Sequence, residues 1–236
     1  MASDIRGSMN IQPIAYFHSP FTSKFGVPKQ SGLVKDIEGS IVFEPEYRSP
    51  DALRGLDRYD FLWLIWAFSA NPHGATSPLV RPPLLGGNTK MGVFATRSPF
   101  RPNPIGLSSV RLQRIEWNTD NGPVIHVLGA DLMDGTPIYD IKPYVTKVDC
   151  HVEARSGFVD DNSINRLTVV IPPSIANSLP QEKLNTLVQV LELDPRPQYQ
   201  NDSQKVYGMP FESHDIRFSV SSDSILTVIE IVPLHN

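Results

Sequence analysis

Three groups of residues in this chain are of types that carry chemistry. Asp131, Asp134 and Asp140 lie in the run Asp131-Leu132-Met133-Asp134-Gly135-Thr136-Pro137-Ile138-Tyr139-Asp140-Ile141-Lys142-Pro143-Tyr144, directly after an apolar, strand-like stretch. Carboxylates at a strand end accept ribose hydroxyls, attract a sulfonium cation, or take a proton as a general base. The same letters also describe an Asp-Gly turn followed by an exposed extended segment.

The second group is cationic. From Phe61 to Ile115 there is no Asp or Glu, while Arg81, Lys90, Arg97, Arg101, Arg111 and Arg114 all fall inside. That segment carries +6 and leaves −10 for the remainder of a chain whose net charge is −4. Such an asymmetry suits a surface that meets an anion or polyanion; chance, together with burial of Phe61 to Phe68, is the plainer cause. The third group is the loop from Arg81 to Gly106, which alternates prolines, glycines and cations. Its prolines limit the loop's conformers and so lower the ordering cost of presenting Arg97 and Arg101. A tight crossover between strands with solvated arginines explains the same pattern.

Other chemistries lack their residues. No Gly-x-Gly occurs, which removes the Rossmann fingerprint and the Gly-rich kinase loop, and there is no Gly-Lys-Ser/Thr P-loop. The six histidines have no metal-ligand spacing, and Gly-x-Ser-x-Gly is missing. Cys150 is the single cysteine, so neither an intrachain disulfide nor a Cys-based zinc cluster forms. No early apolar run resembles a signal peptide or a membrane span, which predicts a cytoplasmic protein with no metal and no membrane. Met1 to Ser8 reads as an expression leader ahead of a natural start at Met9.

The elements that must position these groups are short. With 236 residues, 22 of them proline, the chain is long enough for two cores and poorly suited to long helices. Ile11 to His18, Ser40 to Phe43, Phe61 to Phe68, Met91 to Thr96, Leu107 to Trp117 and Val124 to Leu132 read as strands, and the Asn118 to Pro123 cluster as the turn of a hairpin. Phe61 to Phe68 is apolar on both faces, which predicts a strand buried on two sides with only its exit, Phe68-Ser69, free to touch a ligand. A compact, largely antiparallel sheet or barrel therefore ends near Cys150. Beyond Ser156 the texture changes to α+β. Arg166 to Ile171 is a strand, Leu184, Leu187, Val188 and Leu191 lay one stripe along a helix capped by Ser178 and Gln181, and Asp194-Pro195-Arg196-Pro197 stops it. His214 to Val220 and Ile225 to Val232 flank a hairpin at Ser221 to Ser224.

Taken with Lys24-Phe25-Gly26-Val27-Pro28-Lys29-Gln30-Ser31-Gly32-Leu33, the Arg81 to Gly106, Asp131 to Tyr144 and Asp194 to Pro197 blocks closely resemble the TrmO family, also called TsaA or YaeB, over Ile11 to the C-terminus. These are S-adenosylmethionine-dependent tRNA methyltransferases. The resemblance implies a mainly β fold: an N-terminal antiparallel β-barrel of the non-Rossmann methyltransferase kind (9–152) and a small α+β C-terminal domain (156–236), assembled as a homodimer. It implies methyl transfer to the exocyclic nitrogen of N6-threonylcarbamoyladenosine beside the anticodon of threonine tRNA.

Carried over residue by residue, the cofactor contacts are Gln30, Ser31, Gly32, Phe68, Ser69, Arg97, Leu107, Asp131, Leu132, Met133 and Asp134. Ser69 stands where some relatives have histidine, which puts its side-chain contact in question. The accepting nitrogen must lose a proton, for which Asp134, Tyr139 and Asp140 are candidate bases. Arg81, Lys90, Arg101 and Arg111 are candidates for phosphate contacts to the tRNA. A non-catalytic RNA- or nucleotide-binding module is the competing reading of the same loop, and a structural barrel with solubilising arginines a third.

Overall fold

The computed structural model describes residues 10–71, 77–162, 165–196, 202–203 and 205–234; the leader Met1 to Ser8 and Pro197 lie outside them. Six strands close into an antiparallel barrel. They are β1 (Ala15–His18), β2 (Glu38–Phe43), β3 (Phe61–Ala67), β6 (Ile105–Glu116), β7 (Val124–Leu128) and β8 (Thr136–Pro143), in the order β1-β2-β7-β6-β3-β8. Period-two alternation sends Phe17, Ile41, Leu62, Leu64, Val110, Ile125, Val127 and Ile138 into one core. Two glycines make room for its largest rings. A Cβ on Gly39 would lie 2.2 Å from Phe17 Cζ, and one on Gly106 2.3 Å from Trp66 Cε2.

The loop from residue 77 to 104 leaves the barrel; its strands are the two-residue β4 (Leu79–Val80) and β5 (Met91–Gly92), which pair with each other, and its other regular pieces are the 3-10 turns Pro83–Leu85 and Val93–Ala95. The expected strand Met91 to Thr96 stops at Gly92, because Val93–Ala95 forms a 3-10 turn. The expectation for Phe61 to Phe68 is also corrected. Leu62, Leu64 and Trp66 are buried, but Phe61 is exposed and Trp63 and Ile65 are half-covered, so the described residues leave the strand's outer face only partly covered. Asp131 to Tyr144 is more than a turn with an exposed tail: it contains β8, which closes the barrel between β1 and β3.

After the short helix α1 (Thr146–Asp149), a second sheet runs β10 (Tyr207–Phe211), β11 (His214–Val220), β12 (Ile225–Pro233), β9 (Thr168–Val170). Its last pair is parallel and the others antiparallel. The one-turn helix α2 (Pro173–Ala176) precedes α3 (Gln181–Glu192), which buries Leu184, Thr186, Leu187, Val190 and Leu191 against this sheet. The predicted Ser178–Gln181 cap does not form. Pro180 occupies the cap position, and its missing N–H suits it to a helix start.

The second core is not built from the C-terminal residues alone. Phe21, Val34 and Ile37, all in the β1–β2 connection, are fully buried in it. Phe21 meets Phe211 edge-on at 5.8 Å, Phe25 stacks on Phe218 at 6.4 Å, and Gly26, at φ +93°, passes so close to Met209 that a Cβ would sit 2.4 Å from its Sδ. The C-terminal unit thus grips the connection that carries Gln30, Ser31 and Gly32. Phe21→Ala should cost about 3–5 kcal/mol, the range for truncating a buried aromatic ring. Chemical denaturation should show the loss, and an unchanged midpoint would contradict the shared core.

Candidate active site

Strand alternation places Trp66 of β3 and Gly106 and Ser108 of β6 on the barrel's inner face, paired through Trp66↔Gly106 and Leu64↔Ser108. The indole of Trp66 lies over Gly106 and donates from Nε1 to Ser108 Oγ at 2.9 Å. Ser108 Oγ donates in turn to Asp131 Oδ1 at 2.5 Å. Asp131 is reached from β7 through Gly129, whose φ of +79° turns the chain and whose carbonyl accepts the N–H of Gly32 at 2.8 Å. That bond pins the β1–β2 connection against the strand end, so the backbone N–H of Ser31 faces the Asp131 carboxylate.

Burial pushes the Asp131 carboxyl above its ordinary 3.8. The Ser108 hydroxyl, its own N–H, the Ser31 N–H and the positive charge of Arg97 all pull the other way. Arg97 donates from Nη1 to Gln30 Oε1 at 2.6 Å. The Phe68 ring stands 4.4 Å from Trp66 in an edge contact, and its N–H is held by Pro104 O at 2.9 Å. Lys24 Nζ donates to Asn71 Oδ1, tying the same connection to the segment after Ser69.

Gln30, Ser31, Gly32, Phe68, Arg97 and Asp131 are therefore linked through one bonded cluster at the barrel's rim, and Ser69 follows directly, its N–H bound to Ala67 O. Other expected residues stand apart from it. Leu107 projects from the outer face of β6, between the inward Gly106 and Ser108. Leu132 is buried in the barrel core, and Met133 offers its carbonyl to Thr136. The Asp134 carboxylate accepts from Ser19 N–H at 3.1 Å and faces His18 Nδ1 at 3.2 Å.

Asp140 shares the outer wall with Ile65 and pairs with Lys142 at 2.9 Å, while Tyr139 is the extra residue where the β3–β8 register slips. Of the expected RNA cations, Arg81, Lys90 and Arg111 are exposed and make no ion pair among the described residues. Arg101 is half-buried and braces its own loop through Thr96 O at 3.1 Å. Trp66 and Ser108 are the residues that sequence reasoning missed; the available signal was a hydroxyl at an inward position of an otherwise apolar strand face.

The donor set suits a ligand with several different ends. A guanidinium and an amide meet a carboxylate, a buried carboxylate and a backbone N–H meet hydroxyls or a cation, and aromatic rings meet a flat heterocycle. No group of three or more His, Cys, Asp or Glu suited to a metal occurs among the described residues.

Asp131 also makes folding pH-dependent. Because its folded pKa is raised, its contribution to stability is complete below the unfolded value and is lost as pH rises through the folded one. In the ligand-free protein, Asp131→Asn should therefore gain Tm relative to wild type as pH rises from 4 to 8. A pH-independent difference between the two melting curves would refute the burial of an ionising carboxylate there.

Comparison with known proteins agrees with this geometry in both units. The tRNA-methyltransferase O N-terminal domain matches residues 16–150, and the TrmO C-terminal domain matches residues 165–234. The chain is 38% identical over 224 residues to the tRNA (adenine(37)-N6)-methyltransferase of Escherichia coli K12, covering 91% of this chain and 94% of that one. It is 42% identical over 168 residues to the enzyme of the same name from Eikenella corrodens, covering 71% and 94%. A crystal structure of TrmO from Pseudomonas aeruginosa superposes with a TM-score of 0.76 at 29% identity, covering 96% and 98%. With both domain models matched in order, the chain belongs to the tRNA-methyltransferase O family.

Proposed function

We propose that this protein transfers a methyl group from S-adenosylmethionine to the N6 nitrogen of adenosine 37 in tRNA, with N6-threonylcarbamoyladenosine of threonine tRNA as the accepting nucleoside. The observation that carries the reading is the rim cluster, in which Arg97, Gln30, Ser31 and a buried Asp131 converge beside Phe68. Arg97 and Gln30 suit the cofactor's carboxylate end, and Asp131 with the Ser31 N–H suits its ribose hydroxyls. When bound, the sulfonium supplies the methyl group.

The chain's part is to orient the donor, exclude water and accept a proton. Positioning alone is worth several kcal/mol in such a displacement. Among Asp134, Tyr139 and Asp140, Asp134 is the favoured base, because His18 beside it offers a route for the proton to solvent. Asp140 is instead neutralised by Lys142 on the outer wall. Arg81, Lys90 and Arg111 supply phosphate contacts, so tRNA binding should weaken steeply with salt.

The test is tritium transfer from labelled S-adenosylmethionine to threonine tRNA with and without the threonylcarbamoyl group. A pocket that hydrogen-bonds that group leaves polar atoms unpaired around plain adenosine, at about 1–3 kcal/mol each. Incorporation should therefore be confined to the modified tRNA, and equal labelling of the two would overturn the substrate. Arg97→Lys should lose the activity while staying folded, since lysine cannot reproduce the planar fork. A protein that binds tRNA and transfers nothing would be the binding module instead.

The assembly follows from the loop. Phe94 is 80% exposed, and Leu79, Phe100 and Leu107 are also large, apolar and exposed, an arrangement that a two-fold contact between copies covers. Light scattering at micromolar concentration should report a dimer, and a monomer would remove the assignment.

A further inference from the structure

Ser108 stands between two groups whose chemistry fixes the direction of its proton. An indole N–H only donates, so at 2.9 Å from Trp66 Nε1 the Ser108 oxygen must accept. The hydroxyl's single proton is then left for Asp131 Oδ1, 2.5 Å away. Ser108 is 1% exposed and Trp66 7%, so water does not compete for either bond. The indole is itself confined, with Gly106 against its ring and Phe68 at its edge.

We infer that Ser108, oriented by Trp66, is a positioning residue that occupies one oxygen of Asp131 and so fixes which oxygen is left for the ligand held beside Gln30, Ser31 and Arg97. The inference rests on the proposed reading of that rim as the S-adenosylmethionine site and names a determinant of it outside the expected contact set. A neutral Asp131 accepts the same hydroxyl only through its carbonyl oxygen, a weaker bond than the one to a carboxylate, so the serine favours the ionised form. Arg97, the charged side chain that bears on Asp131, acts in the same direction, and burial opposes both.

Ser108→Ala, Ser108→Thr and Trp66→Phe test this with two readouts. The first is the titration of the Asp131 carboxyl carbon by NMR in the ligand-free protein. The second is the separation of KM for S-adenosylmethionine from kcat at saturating tRNA. Ser108→Ala should move the titration to higher pH and raise KM about tenfold or more, with a smaller change in kcat, as expected for losing a hydrogen bond to a charged group. Ser108→Thr should restore the titration. Trp66→Phe should move it in the same direction by less, because the hydroxyl is then free to turn. A titration unmoved in Ser108→Ala overturns the inference, as does a threonine variant that titrates like the alanine one. A moved titration in a protein that transfers no methyl group supports the positioning of Asp131 and overturns only the reading of the site.

Discussion

The burial of one carboxylate organises the rim of this barrel. An unpaired charge inside a protein is costly, so a buried Asp persists only where donors surround it. Here the support comes from three separate parts of the chain: a β6 hydroxyl and the backbone of the β1–β2 connection donate to it, and a guanidinium on the long loop adds its positive charge. Satisfying Asp131 therefore brings together segments that would otherwise be independent. Gly106 and Gly129 follow from that need, the first letting an indole lie flat against a strand and the second turning the chain so that Gly32 can be held.

The same economy explains why the C-terminal unit is attached where it is. A β1–β2 connection of nineteen residues between His18 and Glu38 is long for a barrel loop and would be mobile on its own. Phe21, Val34 and Ile37 anchor it in the second core, and Lys183 of α3 reaches back to Glu38 and to Glu212 at 2.9 Å each. The second unit thus contributes rigidity to the site through the loop, whatever further contacts it makes.

Much of this was legible from the residues, and the gaps have physical causes. The barrel strands with clean alternation were readable because one face is buried. β8 was obscured by Pro137 and Pro143, which usually argue against a central strand, yet each sits where the strand changes partners or ends. Val93–Ala95 has strand-like side chains and still turns, because among the described residues the ladder with Leu79–Val80 ends at Gly92. The α3 stripe was visible, but its start was set by Pro180 rather than by a hydroxyl cap. Asp131 and Arg97 stood out by residue type and position, and Gln30 was reached through the resemblance. Trp66 and Ser108 were not, because a Trp in an apolar run reads as core and only the fold reveals its hydrogen-bond partner.

The pairing of β1 with β8 has a consequence for how the chain is made. The first barrel strand waits for the last, so the ring cannot close until residues up to Pro143 have left the ribosome, and β1 must rely on its β2 neighbour in the meantime. Phe21, Val34 and Ile37 wait longer still, until β10 to β12 have been synthesised. Until those strands are made, the apolar side chains of that loop have no core to enter. Exposed apolar surface of that kind is what favours self-association in unfinished chains, so synthesis of the C-terminal unit covers it as well as bracing the site.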